Sequence, residues 1–292
     1  MKLPAGIGEI RDHWRLPVPA AVAILRVSLV LMALGYYVAL TTRAGSHFGS
    51  IALFKWGVPY DTILAWETAM ARVLVVLALL AWFRFGCWPA LLIGLTVMSE
   101  SIAGVFAGGF PFYEHTYWAW ALRFAAPFAL AVLLWRQSLQ PAWTAAAGEW
   151  ILRLALAAVF TIHGLEAFWQ HPQFIDLVIG SANTVGWEVG ETAVVRTLIV
   201  IAAVDLLVAA LVILWPRTPV LVWLAIWGLV TALSRPMAYG FASYPDVLVR
   251  APHYLAPLAI IALRSLPSPK TSKSPANPTQ SEFQENKIAP SA

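Results

Sequence analysis

The feature that most constrains this chain is the recurrence of apolar runs about as long as a bilayer is thick. Roughly 20 apolar residues in a helix cross the hydrocarbon core. Such runs occur at 20–40, 62–82, 88–107, 118–136, 148–168, 192–214, 218–238 and 247–265. In lipid every backbone N–H and C=O needs an internal partner, and a run of this length finds them only as a helix. The expected fold class is therefore an all-α integral membrane protein with eight transmembrane helices. Composition agrees: 60% of the 292 residues are hydrophobic and 12% are charged, whereas a soluble domain carries about 25% charged residues. Fifteen Trp and eight Tyr suit amphipathic rings at the two interfaces. Pro127 in the fourth run, and Pro252 and Pro257 in the eighth, should kink those helices.

Basic residues set the expected orientation. With eight spans, Lys2, Arg11, Arg15, Arg84, Arg136, Arg217, Arg264, Lys270 and Lys273 share one face, which the positive-inside rule makes cytoplasmic. Arg43, Lys55, Arg235 and Arg250 fall toward the other face. Residues 1–19 then form a cytoplasmic segment, with no cleavable signal peptide because a polar stretch precedes an apolar run long enough to span. Residues 267–292, rich in Pro, Ser, Lys and Gln, read as a disordered cytoplasmic tail. The net charge of +4 is scattered through loops and tail, a pattern that excludes a nucleic-acid partner and leaves the lipid bilayer as the expected one. Cys87 is the single cysteine. It rules out an intrachain disulfide, a CxxC pair and an iron–sulfur cluster ligated within the chain, and reads as a small apolar packing residue.

Several stretches recur in order, dividing the chain into four-helix units at 20–140 and 141–266. Ile24-Leu25-Arg26 matches Ile151-Leu152-Arg153, and Glu67-Thr68-Ala69-x-x-Arg72 matches Glu191-Thr192-Ala193-x-x-Arg196. Gly109-Phe110 matches Gly240-Phe241, and Arg123-x-x-x-Pro127 matches His253-x-x-x-Pro257. Four spans is an even number, so the second copy enters from the same side and the repeat is parallel.

An ionisable side chain at the bilayer centre costs roughly 2.5–3.5 kcal/mol even on a lenient insertion scale, so each needs a partner, water or a shallow depth. Glu67, Glu100 and Arg123 in the first unit, and His163, Glu166, Glu191, Arg250 and His253 in the second, all fall in the outer half of the membrane; Asp205 lies deeper. One reading makes these residues snorkelling groups or packing salt bridges. The other gathers them into an outward polar pocket, with Glu100 facing Arg123, and Glu166 or Asp205 near Arg250 and His253. His163 and Glu166, three residues apart, share a helix face. His163 and His253 as paired haem ligands are a weaker alternative. No zinc-protease, P-loop, serine-triad or dinucleotide pattern occurs, so no catalytic residue and no metal ligand is assigned.

Arg153-Leu154-Ala155-Leu156, leading through Phe160 to His163-Gly164-Leu165, then a polar loop and a helix opening near Glu191, resembles the DoxX-like family of four-helix membrane proteins. The first half is similar in layout, with Arg26 and Glu67 in place but Tyr36-Tyr37 where His163-Gly164 stand. The resemblance implies a bacterial inner-membrane protein and an accessory or docking subunit of a quinone-linked redox system, with quinone and a redox subunit as cofactor and partner. Two alternatives from other classes stand beside it: a transporter or channel for a small polar solute or proton, and a scaffold whose charges only fix packing.

Overall fold

The computed structural model describes residues 18–42, 45–83, 86–108, 111–135 and 141–265. The expected N-terminal segment and tail, the Gly109-Phe110 match, and Arg43, Arg84 and Arg136 lie outside the described residues. Those described are all-α, without a strand. Eight segments are long and apolar enough to cross a membrane. The helices are α1 (Val18–Thr42), α2 (His47–Trp56), α3 (Tyr60–Leu80), α4 (Cys87–Ala107), α5 (Thr116–Ala119), α6 (Ala121–Trp135), α7 (Pro141–Phe168), α8 (Pro172–Thr184), α9 (Glu191–Leu214), α10 (Thr218–Tyr239), α11 (Tyr244–Val249) and α12 (Ala251–Arg264). Eight crossings put residues 18 and 265 on one face; the opposite face, which carries α2 and α8, is called the far face below. Exposed Trp82, Trp88, Trp135, Trp143 and Trp215 ring the first face, and Trp56, Trp169 and Trp187 the far one.

The two halves share one order of elements: a long helix, a short helix, two long helices, a single 3-10 turn (Tyr113–His115 or Phe241–Ser243), a one- or two-turn helix, and a last long helix. They also share one pattern of neighbours. α1 packs on α3 as α7 packs on α9, and α4 on α6 as α10 on α12. The seams between halves match too, α6 against α7 and α12 against α1.

Register follows from one recurring bond. Arg26 Nε donates to the Ala81 carbonyl at 3.0 Å, and Arg153 Nε to the Val212 carbonyl at 2.9 Å. Each guanidinium satisfies a carbonyl at the end of the second long helix of its half, where the last turn leaves acceptors unpaired. Set by this bond, buried Ile63, Glu67, Ala71, Leu74 and Ala78 fall opposite buried Val194, Leu198, Ala202, Asp205 and Ala209. In the third long helices, Ala90, Ile93, Gly94, Val97 and Ser101 fall opposite Leu221, Leu224, Ala225, Gly228 and Ala232. The Glu67/Glu191 string is thus not a match in space. Glu67 is buried two turns into α3, whereas Glu191 opens α9 and is exposed.

The fourth and eighth spans break, the eighth just before Pro252, which stands in the first turn of α12. Trp120 (φ −98°, ψ 3°) separates α5 from α6, and Arg250 (φ −88°, ψ 8°) separates α11 from α12. Pro127 and Pro257 stay inside continuing helices. Pro257 has no N–H to give the carbonyl four residues back, that of His253. Gly228 of α10 packs against that same carbonyl so closely that an added Cβ would sit 2.6 Å from it. A missing N–H at Pro257 and a missing side chain at Gly228 together let α10 and α12 come into backbone contact.

Candidate functional site

Each half encloses a pocket beside the break in its last span. The second half holds a cavity of about 300 Å³ between α7, α8, α9, α10 and α12. Its walls are mostly apolar: Val159, Phe160, Phe174, Leu177, Val178, Leu198, Ile201 and Val230. Its charged and imidazole lining is His163, Arg235, Arg250 and His253, with Asp205 apart from them beside Trp227, two helix turns along α10 from Arg235. Four of the nine expected site residues, His163, Asp205, Arg250 and His253, therefore line one cavity. Glu166 stands directly behind His163, its Oε2 3.1 Å from the ring Nδ1.

Asp205 is 4% exposed and receives a hydrogen bond from the Trp227 indole N–H at 3.0 Å. Arg235 donates to the Thr231 carbonyl at 2.6 Å, a bond within its own helix. Arg250 forms no ion pair among the described residues, and both ring nitrogens of buried His253 lack a partner there. Unpaired polar atoms buried in protein cost about 1–3 kcal/mol each. The two ring nitrogens of His253, which lines the cavity, mark it as a place for a polar ligand atom or ordered water.

α8 closes the cavity toward the far face. Phe174, Leu177, Val178 and Ser181 line it, a spacing that puts one helix stripe inward. Hydroxyls fasten α8 to α10: Ser181 donates to the Ser234 carbonyl at 3.2 Å and Thr184 to the Met237 carbonyl at 2.6 Å. Gly180 permits this approach, since a Cβ there would lie 3.0 Å from Ala238. α9 and α10 pack on each other most loosely of the adjacent long helices in this half. The lining residues Thr197 on α9 and Val230 on α10 are exposed.

The first half holds a pocket of about 170 Å³ lined by Tyr36, Met70, Leu74, Thr96, Val97, Glu100, Trp120 and Arg123, among others. In register these stand where His163, Ile201, Asp205, Trp227, Gly228, Thr231, Arg250 and His253 line the second cavity. Arg123 lies over the Trp120 ring, 4.2 Å from its centroid. Glu100 and Arg123 do share this pocket but form no ion pair.

Glu100 and Glu67 instead hold the start of α2. Glu67 accepts from the Gly45 N–H at 3.0 Å, the Ser46 N–H at 2.8 Å and the Ser46 hydroxyl at 2.6 Å. Glu100 accepts from the His47 N–H and, at 3.3 Å, from the Phe48 N–H. The Ser46 hydroxyl accepts from the Gly49 N–H at 2.8 Å. The leading amides of a helix are unpaired within the helix and carry its positive dipole end, so two carboxylates here are structural anchors. Glu191, exposed at the start of α9, lines neither pocket.

Sequence reasoning passed over Arg235 as an interfacial residue, and did not use Trp227 or His115. His115 Nδ1, in the 3-10 turn of the first half, lies 3.7 Å from Glu166 Oε1 across the α6–α7 seam. No metal-binding cluster occurs among the described residues. Comparison with protein-family models, curated proteins and solved structures finds no match. The chain's reading therefore rests on this geometry: a multi-pass membrane protein with a mostly apolar cavity that holds a few polar groups.

Proposed function

We propose that the second-half cavity binds a lipid-soluble molecule with a polar head, of the quinone class, and that the chain is a docking subunit of a quinone-linked redox system. The observation that carries this is a mostly apolar cavity holding Asp205, Arg250 and His253, beside a loose α9–α10 seam at which the lining residues Thr197 and Val230 are exposed; in this proposal the seam is the entrance, and it stands midway along α10. A water-soluble substrate gains nothing from such an entrance, whereas a molecule already in the bilayer reaches the polar groups without leaving apolar surroundings. Pockets of about 300–1,000 Å³ hold ligands of this size, with few polar groups fixing orientation. The His253 ring, whose nitrogens lack a partner, and the Arg250 guanidinium lining the same cavity are donors suited to carbonyl or hydroxyl oxygens.

In this proposal the chain is DoxX-like and stands in a bacterial inner membrane with residues 18 and 265 toward the cytoplasm. Support comes from the Arg153-to-His163 motif and from the basic bias of that face. The shared order of elements, neighbours and buried positions further supports descent of both halves from one duplicated unit.

The test is titration of the purified protein in lipid nanodiscs with a short-chain quinone, read by Trp227 fluorescence. Saturable quenching is expected, lost in Trp227→Phe and weakened in Asp205→Asn. Quenching that rises linearly and is indifferent to Asp205→Asn would remove the proposal. A second reading, transport of a proton or small anion, has the helix break at Arg250 in its favour, since discontinuous helices line many transport sites. Flux through proteoliposomes that responds to Arg250→Gln would select it.

A further inference from the structure

His115, Glu166 and His163 form a line that the cavity alone does not explain. Glu166 is 7% exposed and has an imidazole at each oxygen: His163 Nδ1 at 3.1 Å from Oε2, and His115 Nδ1 at 3.7 Å from Oε1. His163 lines the cavity. His115 belongs to the turn at the far face, and its side chain keeps 17% exposure. The three span the seam from far-face surface to ligand cavity, with the buried carboxylate in between.

The surroundings hold this line in place. Phe112 stacks on His115 (centroids 5.6 Å apart, planes 20°) and on Trp169 (6.0 Å, 7°), and Trp169 stacks on His115 at 5.7 Å. Phe112 (φ 60°) and Gln170 (φ 57°) are the non-glycine residues with left-handed backbone among those described. Phe112 belongs to this stack, and Gln170 follows its member Trp169 in the chain. Such conformations cost about 1–3 kcal/mol and gather where a fixed geometry is needed. Other ionisable groups facing the array are His171, which caps α8 by accepting from the Gln173 N–H, together with Arg235 and Arg250. At the equivalent seam, α12 against α1, the position of Glu166 is taken by Ala39, so no counterpart of the array exists there.

We infer that His115, Glu166 and His163 carry protons between the far-face surface and the cavity, an inference that rests on the cavity holding a ligand with a titratable oxygen. A proton taken from water by His115 passes from its Nδ1 to Glu166. The 3.7 Å gap closes by a small ring motion or one bridging water. Rotation of the carboxyl hands the proton to His163 Nδ1, while His163 releases its Nε2 proton to the ligand oxygen. Return of the imidazoles to their starting tautomers completes the cycle, with one proton moved and the array's charge unchanged. No electron transfer is part of this step.

The experiment uses the full chain in nanodiscs with an alkyl hydroxycoumarin, whose hydroxyl reports its own protonation, bound in the cavity and displaceable by decyl-quinone. After a rapid pH jump, the fluorescence relaxation of the displaceable population is followed. Glu166→Gln and His115→Ala are expected to slow it at least about tenfold, within the range for loss of a positioned acid or base, with probe affinity unchanged. Free imidazole in the buffer should restore the rate in His115→Ala, which a merely structural role would not allow. Equal rates in wild type and both variants, or a slowed His115→Ala that imidazole does not rescue, would overturn the proton path. A probe that is not displaceable by decyl-quinone in the wild type would instead overturn the cavity reading itself.

Discussion

At the position where the first half carries Tyr36, the second carries His163; Leu74 stands opposite Asp205, Val97 opposite Gly228, Trp120 opposite Arg250 and Arg123 opposite His253. The scaffold around these pairs is shared down to the register of buried residues, so the difference lies in chemistry and room. In the first half the carboxylates are consumed by backbone amides of α2, and the guanidinium rests on a tryptophan. In the second half the short helix α8 is capped by His171 and fastened by hydroxyls. The positions of Glu67 and Glu100 are then taken by Leu198 and Thr231, and the second cavity is the larger of the two. Both pockets keep buried polar atoms without a partner among the described residues, Tyr36 Oη and Arg123 Nε in the first and the two His253 ring nitrogens in the second; what differs is room, and the residues that anchor the short helix.

This comparison can be broken at several points. The largest effect is expected from Glu67→Ala, which strands the Gly45 and Ser46 amides and the Ser46 hydroxyl. At about 1–3 kcal/mol per buried unsatisfied group, the loss should reach roughly 3 kcal/mol or more, read as a fall in melting temperature. Leu198→Ala at the equivalent position removes only packing, about 2–5 kcal/mol, and should leave α8 docked, as limited proteolysis after Thr184 would report. An α8 that detaches in Leu198→Ala but not an α2 in Glu67→Ala would reverse the assignment.

Next in size, exchanging the centre of each pocket should be asymmetric. Leu74→Asp buries a carboxylate with no indole to bind it and should destabilise by about 3 kcal/mol, in the range seen for an unpaired buried charge. Asp205→Leu should be near neutral in stability but should abolish saturable quinone quenching. Equal thermal penalties for the two would mean that Asp205 is a packing residue.

Gly228→Ala presses a methyl group onto the His253 carbonyl and should cost about 1–3 kcal/mol by overpacking, while Val97→Ala costs about 1 kcal/mol. A last pair of substitutions tests the shared frame. Arg26→Ala and Arg153→Ala each remove a charge-assisted bond to a helix-end carbonyl, worth about 1.5–3 kcal/mol. Arg153 should cost slightly more, since it also donates to the Ile213 carbonyl and pairs with Glu149.

How much of this could be read in advance varies by residue. The eight spans were legible because lipid admits only one backbone solution for a 20-residue apolar run. The Arg26 and Arg153 match survived because its bond is local to a helix end. The Glu67 and Glu191 match failed because a six-residue string on a helix can slide by two turns and still present the same face. His163, Asp205, Arg250 and His253 were legible as costly groups in need of partners, whereas the role of Glu67 depended on α2, which lies in a loop-like stretch. His115 was invisible, since its partner Glu166 is 51 residues away across the seam.

Hydrophobic length and charge by themselves determined that this chain spans a membrane, how often, and which polar residues needed an explanation. Those are free-energy demands that each segment makes alone, on lipid or on water. Only the tertiary structure decided which demands are met by a helix end and which are left open toward a cavity. Partner choice depends on how helices far apart in sequence are set against each other, at breaks such as Arg250 and close approaches such as Gly228 that no single segment specifies.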